Sequence, residues 1–161
     1  MRVGAQIHVS APAALVWEFV DDPERVLHFM AGITRWEVEG EQRTGLGARY
    51  RMLMRVGSAE VGGLVEVVEH DEASELAWNS VTGVDQRGRW RLREGESGTS
   101  VELRLSYGVA GAGLGGWLAE RFAAPTVRGN LRRSLQQLKR QVEHEQLRRA
   151  AAERREAQGT R

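Results

Sequence analysis

The chain has 161 residues, of which 41% are hydrophobic, and its formal net charge is +1. This length and hydrophobic content suffice for one sizeable core, so we expect a single domain. The absence of cysteine excludes disulfides and thiolate chemistry and favours a reducing compartment, so we predict a cytoplasmic protein. We find neither a secretory signal pattern nor an apolar run long enough to cross a bilayer, so no membrane span is predicted.

The N-terminal part of the sequence predicts one strand followed by two short helices. Residues 3–9 alternate between apolar and polar types, as a half-buried strand does. Ser10 is predicted to cap a first helix with Pro12 in its first turn and with an apolar side formed by Leu15, Val16, Phe19 and Val20. Asp22 and Pro23 are predicted to begin a second helix, which Gly32 ends.

Residues 33–108 show the pattern of six antiparallel strands joined by turns. Apolar residues alternate with charged ones over residues 36–38, 48–56, 63–67, 76–80, 88–92 and 101–107. Such alternation is typical of a sheet with one buried face and one solvated face, the latter here rich in Arg and Glu. We interpret residues 69–72, which include His70, as a solvated turn. No pair of histidines has metal-ligand spacing, so no metal site is predicted.

Residues 113–143 predict one long amphipathic helix. Gly115, Gly116 and Pro125 have poor helix propensity, so we expect its first half to be kinked and looser than its second half. After residue 144 the chain is rich in Arg, Glu and Ala, which predicts a domain over 1–144 and an exposed helical or frayed tail over 145–161. The apolar residues of the helix recur at steps of mostly three or four and lie on one face: Leu114, Trp117, Leu118, Phe122, Val127, Leu131, Leu135, Leu138 and Val142.

Charge is distributed unevenly along the chain. Residues 113–161 contain 11 basic and 5 acidic groups, whereas the remainder contains 12 basic and 17 acidic groups. This asymmetry permits an acidic partner for the C-terminal segment, and contact with RNA or a ribosome is one alternative. Interleaved Glu residues and the lack of exposed aromatic residues favour a solvated face instead, and no DNA contact is predicted. The sequence does not fix the oligomeric state.

The order of elements predicts an α+β fold in which a curved antiparallel sheet of about seven strands wraps around the C-terminal helix. One helix does not fill a wide curved sheet, so we expect a cavity between the two. The alternative is that the inward-facing side chains simply fill the core. The candidates for contact with an aromatic or polycyclic ligand are Trp36, Tyr50, Met52, Met54, Trp78, Ser80, Trp90, Tyr107, Trp117 and Phe122.

Candidates for acid–base chemistry are few. His28 is the one histidine expected near the mouth of the cavity, and an unperturbed histidine titrates near pH ~6.5. Tyr50 is the second candidate, because its phenol is expected to face inward. No cofactor is predicted.

Short motifs spread along residues 3–143 carry a family resemblance: Val9-Ser10-Ala11-Pro12, Val16-Trp17, Ala31-Gly32-Ile33, Leu76-Ala77-Trp78, and the segments 98–103 and 135–143. With these motifs the chain resembles the START-like (SRPBCC) superfamily, and within it the polyketide cyclase/dehydrase-type members. The resemblance implies a helix-grip fold and a polyketide-, lipid- or quinone-like ligand under the long helix.

The same resemblance leaves three functions open. Binding or carriage without turnover is the first, and an aromatase-type polyketide cyclase/dehydrase is the second. The third is interaction with a ribosome or a protein through the basic C-terminal segment. Cyclases of the superfamily tend to have a Trp-Pro pair after the first helix, where this chain has residues 25–29, Arg-Val-Leu-His-Phe. We therefore place ligand binding first.

Overall fold

The computed structural model describes the backbone of residues 1–108 and 113–159 and the side chains of residues 1–108 and 124–159. One strand is followed by two short helices, six strands and one long helix, which confirms the predicted succession of elements. Their bounds are β1 Arg2–Val9, α1 Ala13–Val20, α2 Val26–Phe29, β2 Ile33–Glu39, β3 Arg49–Val56, β4 Ala59–Asp71, β5 Glu75–Ser80, β6 Asp85–Gly95, β7 Gly98–Gly108 and α3 Gly113–Gly159.

The seven strands form a single sheet in the order β1-β7-β6-β5-β4-β3-β2. All neighbours are antiparallel, and each consecutive pair from β2 to β7 is joined by a local connection. The exception is β1, which pairs with β7, so that Val9 lies opposite Thr99. The first and the last strands of the chain are therefore neighbours at one end of the sheet.

The core lies between the inner face of the sheet and α3. Strand residues that alternate inward, such as Val65, Val101 and Leu103, are almost fully buried. Four apolar residues of α3 predicted to face the sheet are also buried, namely Leu131, Leu135, Leu138 and Val142. Helix α3 packs along β1 and touches α1, α2, β3 and β7. This is the helix-grip arrangement that the sequence predicts, with the long helix held against the sheet.

The start of α1 differs from the prediction. Ser10 does not cap the helix: its backbone N–H donates to Glu143 Oε1 at 2.9 Å. The helix begins at Ala13, after an extended Pro12, and no side chain of its own segment caps it. Instead, the Ala13 N–H donates to Glu94 Oε2 at 3.1 Å, so a carboxylate from β6 satisfies one of the free N–H groups of the first turn. A local sequence pattern cannot reveal a cap supplied from so far along the chain.

The solvated face of the sheet carries ion pairs between Arg and Glu side chains, as the alternating Arg and Glu residues predict. On β3, Arg49 lies 2.6 Å from Glu66 and Arg51 lies 3.1 Å from Glu39. Both pairs join neighbouring strands, so they also reinforce the register of the sheet.

Helix α3 continues past residue 144 as far as Gly159, so the tail is helical over the described residues. Arg149 in this extension lies 2.7 Å from Glu18 of α1. Helix α3 runs through Pro125 without interruption. The lower stability of residues 113–126 stays a prediction. Within the described part of the chain, no helix combines the length and the apolar character needed to cross a membrane.

Candidate functional site

Two tryptophans meet on the inner face of the sheet, one from the edge strand β2 and one from the central strand β5. Trp36 on β2 stacks on Tyr50 of β3, with ring centroids 5.1 Å apart. The edge of Trp78 on β5 meets Trp36, with centroids 6.0 Å apart and planes almost perpendicular. Stacked and edge-to-face pairs of this kind add to the free energy of burial, and we call these three rings the aromatic wall.

Gly88 on β6 leaves room for the Trp78 ring to pack against the sheet. The two residues lie opposite each other in the pairing of β5 with β6. A Cβ atom on Gly88 would overlap the indole ring of Trp78, so only glycine leaves the ring room to lie against the sheet. The aromatic wall therefore requires glycine at position 88 as well as the three rings.

The described residues enclose two small cavities on this wall. The Trp90 cavity measures about 20 Å³ and is lined by Val20, Asp21, Pro23, Val26, Phe29, Met30, Trp36, Tyr50, Leu76, Trp78 and Trp90. The Met54 cavity also measures about 20 Å³ and is lined by Met30, Ala31, Ile33, Trp36, Met52, Met54, Trp78, Leu103, Leu105, Val127, Asn130, Leu131 and Ser134.

Met30, Trp36 and Trp78 line both cavities and so form the partition between them. A volume of about 10–15 Å³ holds one water molecule, whereas small-molecule sites span about 300–1,000 Å³. The described side chains thus fill most of this part of the interior. Admission of a ligand here requires the partition to move, and unbranched Met30 is its most adaptable member.

The indole N–H groups of Trp36 and Trp78 are buried and have no hydrogen-bond partner among the described residues. A buried donor without an acceptor costs about 1–3 kcal/mol relative to one that is satisfied. Buried tryptophan N–H groups usually find a partner, so two such donors at one partition are unusual. Both unpartnered donors therefore belong to residues that separate the two cavities.

The phenol of Tyr50 is the ionisable group of the wall. Its O–H donates to the backbone carbonyl of Arg43 at 2.6 Å, and the residue is only 5% exposed. Burial, with a further contribution from the Asp21 carboxylate, raises the pKa of Tyr50 to about 12. The phenol is thus protonated at neutral pH, and it can donate a hydrogen bond but cannot act as a base.

Asp21, at the end of α1, connects the Trp90 cavity with the surface. Its carboxylate accepts from His70 or binds it as an ion pair, with Oδ1 2.9 Å from Nε2. Both side chains are about four-fifths buried, and the His70 ring meets Trp17 edge-on at 5.1 Å. On the other side, Asp21 and His70 border an open cleft of about 420 Å³.

This arrangement corrects the interpretation of residues 69–72 as a solvated turn. His70 belongs to β4, which extends to Asp71, and its ring is directed at Asp21. The β-strand continues further than the apolar alternation indicates, and the partner of His70 lies far away in sequence.

The comparison with known proteins agrees with this fold. The sequence profile of the family described as polyketide cyclase / dehydrase and lipid transport matches residues 1–143. The chain belongs to this family. None of the curated proteins compared is a significant match in sequence.

Three solved structures illustrate the likeness in fold. TTHA0849 from Thermus thermophilus has a TM-score of 0.73 and 22% identity, covering 88% of this chain and 97% of its own. The Zhui aromatase/cyclase from Streptomyces sp. R1128 has a TM-score of 0.71 and 20% identity, covering 89% and 93%. DR_A0006 from Deinococcus radiodurans has a TM-score of 0.67 and 20% identity, covering 90% and 98%. At these identities the likeness concerns the fold alone.

The structure brings six of the sequence-predicted ligand residues of this polyketide cyclase/dehydrase family member to the two cavities, namely Trp36, Tyr50, Met52, Met54, Trp78 and Trp90. Ser80 lies apart from them and accepts a hydrogen bond from the Gln86 N–H at 3.1 Å, which holds the β5–β6 connection. Tyr107 is half-buried and packs against the core outside both cavities. Trp117 and Phe122 lie outside the residues whose side chains are described.

His28, the histidine expected near the cavity mouth, is exposed on α2 and lines neither cavity. Its backbone carbonyl accepts from the Gln141 side chain at 2.8 Å, which ties α2 to α3. The imidazole is thus turned away from the aromatic wall, because the inward positions of this one-turn helix are taken by Val26 and Phe29.

Three polar residues of the interior do not figure in the sequence analysis. Gln86 on β6 is 4% exposed, and its amide is 3.6 Å from the sulfur of Met52. Asn130 and Ser134 on α3 line the Met54 cavity, and the Ser134 hydroxyl accepts from the Ala31 N–H at 2.9 Å. Gln86 precedes Gly88 by two residues, and Asn130 and Ser134 recur at helical spacing beside Leu131, but this spacing alone does not mark a polar residue as buried.

No group of three or more potential metal ligands occurs among the described residues of the chain. The polar side chains that line the two cavities are the indole N–H donors, the Tyr50 phenol, the Asn130 amide, the Ser134 hydroxyl and a single carboxylate, that of Asp21. This arrangement can orient the oxygen atoms of a largely apolar molecule.

Proposed function

We propose that the chain binds a hydrophobic, ring-containing small molecule between the sheet and α3, with ligand oxygen atoms accepting from Trp36 and Trp78. The observation that carries this proposal is the pair of buried indole N–H groups without a partner at the partition between two apolar cavities. Carbonyl or phenol oxygens on a ring system would satisfy both donors while the rings replace Met30 against the wall.

Family membership supports the same class of ligand. The description of the family joins polyketide cyclases and dehydrases with lipid transport, and each of these activities handles a molecule with a large apolar part. We therefore propose that the ligand of this chain is a polyketide-, lipid- or quinone-like molecule with oxygen atoms on its rings, because the aromatic wall offers two donors and a stacking surface.

The test compares two three-ring probes that differ in oxygen. A hydroxylated anthraquinone is titrated into the full chain, and binding is followed by quenching of tryptophan fluorescence; anthracene serves as the matched control. We expect the anthraquinone to bind at least about tenfold more tightly, since each hydrogen bond to a buried donor is worth about 1 kcal/mol or more. Native mass spectrometry of the purified protein is the companion measurement, and we expect a bound compound that contains oxygen.

Variants then locate the site. Trp36→Phe and Trp78→Phe keep an aromatic ring but remove the indole N–H, so each should weaken anthraquinone binding several-fold and leave anthracene unaffected. Trp90→Phe is the control, because it changes an indole of the same cavity without removing either unpartnered donor. Equal affinity for both probes would refute the role of the N–H groups, and binding of neither probe would refute the small-molecule proposal.

A second candidate function is a polyketide cyclase or dehydrase. It is favoured by Asp21, an ionisable group that lines the Trp90 cavity and is held by His70 at 2.9 Å. Such a pair can take a proton from an activated methylene and return it to a departing hydroxyl. The similar fold of the Streptomyces aromatase/cyclase is in keeping with this candidate.

The enzyme candidate is tested with a linear poly-β-ketone thioester analogue and detection of an aromatic product. Asp21→Asn should abolish turnover while retaining anthraquinone binding, whereas Asp22→Asn, one residue further on, should retain both. Turnover that survives Asp21→Asn would exclude this assignment of the base.

A further inference from the structure

Most arginines of the solvated face are paired with glutamates, including Arg89 and Arg91 of β6, which bind Glu69 and Glu75, but two arginines at the β1–β7–β6 end are not. On β3, Arg49, Arg51 and Arg55 each lie within 3.3 Å of a glutamate on a neighbouring strand. Arg2 on β1 and Arg87 on β6 have no carboxylate partner among the described residues. Their charges are therefore not neutralised within the fold.

Arg2 and Arg87 flank Ser106 in one cross-strand row. Arg2 is the register partner of Ser106 on β7, and Ser106 is in turn the partner of Arg87. Opposed residues of an antiparallel sheet have Cβ atoms about 4.5–5.5 Å apart and point to the same face. Two unpaired guanidinium groups and one hydroxyl group thus share a single patch.

This patch borders a groove of about 650 Å³, to which Arg89, Arg91 and Arg104 also contribute. None of the described residues that line the groove is acidic. Gly4, in the row beside Arg104, has no side chain and so leaves the groove open on β1. Arg104 uses Nε to bind Glu102 at 2.8 Å, which fixes its orientation and leaves its terminal nitrogens available for a ligand.

The chemistry of the lining identifies the kind of ligand. A single arginine satisfies a carboxylate, whereas a phosphate offers three oxygens that accept from several directions. Phosphate esters also carry a charge of about −1.5 to −2 near neutral pH, which matches two unpaired guanidinium groups. The groove volume lies within the range of small-molecule sites, and no aromatic residue that could stack a base is among its described lining residues.

We propose that this groove binds the phosphate or diphosphate group of a soluble phosphorylated small molecule, held by Arg2, Arg87 and Ser106 with Arg104 beside them. The groove lies on the face of the sheet opposite to the aromatic wall. It is therefore a second site, and this proposal does not depend on the ligand proposed for the interior.

The experiment is a calorimetric titration of the full chain with pyrophosphate at constant ionic strength. We expect saturable binding at one site, and we expect Arg2→Gln and Arg87→Gln each to weaken it by about tenfold or more, as loss of a charged hydrogen bond does. Arg93→Gln is the matched control, since Arg93 lies on the same face of β6 opposite Ser100 but outside the groove. It should change the affinity by less than about twofold, in line with a screened surface charge.

Three outcomes would overturn the proposal. They are the absence of saturable binding at millimolar pyrophosphate, equal weakening by Arg93→Gln, and binding to a single-stranded oligonucleotide without any to pyrophosphate. Unchanged thermal midpoints would show that the variants are folded. Anthraquinone binding measured on Arg87→Gln keeps the two proposals distinguishable, because this variant leaves the interior intact.

Discussion

Single residues with unusual surroundings determine the shape of the aromatic wall. Gly88 leaves room for the Trp78 ring, Tyr50 is fixed by the Arg43 carbonyl, and Trp36 is held between Tyr50 and Trp78. Each of these contacts is made across strands, so each reports on tertiary packing and not on local propensity.

Gly88→Ala is predicted to destabilise the protein by about 1–3 kcal/mol, as overpacking of a core does. The added methyl group would overlap the Trp78 indole, so the ring must leave its position. Urea unfolding measures the loss, and near-ultraviolet circular dichroism reports the displaced ring. Gly95→Ala, on the same strand but with its nearest neighbour at 3.8 Å, should change the free energy of unfolding by less than about 0.5 kcal/mol.

The raised pKa of Tyr50 predicts a decline of stability at high pH. Below pH 10.0 the phenol is protonated in both the folded and the unfolded chain. Between pH 10.0 and about 12 the unfolded chain loses this proton first, so the free energy of unfolding falls as pH rises. Tyr50→Phe should lack this part of the decline, and its phenolate absorbance difference from the wild type should show a midpoint near 12. A midpoint near 10.0 would contradict the burial of the hydroxyl.

Residue-scale features were also the hardest to predict. The inward direction of Trp36, Tyr50 and Trp78 follows from strand alternation, and all three lie on the wall. The pairing of Asp21 with His70 could not be foreseen, because alternation says nothing about partners from distant strands. The unpartnered state of an indole N–H depends equally on the absence of nearby acceptors, which only the three-dimensional packing shows.

Helix α3 is the element on which the core depends. Its residues Leu131, Leu135, Leu138 and Val142 are all less than 5% exposed, whereas Gln136 and Arg140 between them face solvent. The helical period alone sufficed to predict which face is buried. It could not predict that Asn130 and Ser134 occupy two positions of that face, since a periodic pattern ignores buried polar residues that satisfy backbone groups.

Leu135→Ala is predicted to lower the free energy of unfolding by about 2–5 kcal/mol, the usual cost of truncating a fully buried leucine. Urea unfolding followed by circular dichroism measures the change. Gln136→Ala is the control, with an expected change of less than about 0.5 kcal/mol. A loss below that value for Leu135→Ala would mean that α3 is not docked as described.

Deletion of residues 148–161 is predicted to leave the thermal midpoint almost unchanged. This segment contacts the domain through an exposed ion pair between Arg149 and Glu18. The Arg149 hydrogen bond lowers the pKa of Glu18 below 4.5. The pair therefore contributes above pH 4.5 and is lost as pH falls through the lowered pKa, so any small difference should vanish in acid. Arg149→Gln is the matched variant, and a large drop on deletion alone would reveal further packing of the tail.

On the scale of the whole molecule, one core joins the sheet and all three helices. Buried residues from β1, α1, α2, the central strands and α3 form one contiguous cluster. The α+β class, the number of strands and their order along the chain follow from strand alternation and helical spacing. The position of β1 beside β7 does not follow from these signals, because sequence periodicity carries no information on which strands pair.

The shared core predicts a single cooperative unfolding transition. Tryptophan fluorescence, which reports on the aromatic wall, and far-ultraviolet circular dichroism, which reports mainly on α3 and the sheet, should give coincident curves in urea. Two separated transitions would show that part of the chain unfolds as a unit of its own.

The pairing of β1 with β7 has a consequence for biosynthesis. β1 leaves the ribosome before the other six strands, yet its hydrogen-bonding partner β7 is the last of the seven to be made. Its inward-facing residues Val3, Ile7 and Val9 therefore have no strand partner while β2 to β6 are synthesised. Sheets closed by such distant contacts fold on the order of milliseconds to seconds, because a long loop must close first. A nascent chain arrested before Gly98 should therefore leave β1 open to proteases, and one extended beyond α3 should protect it.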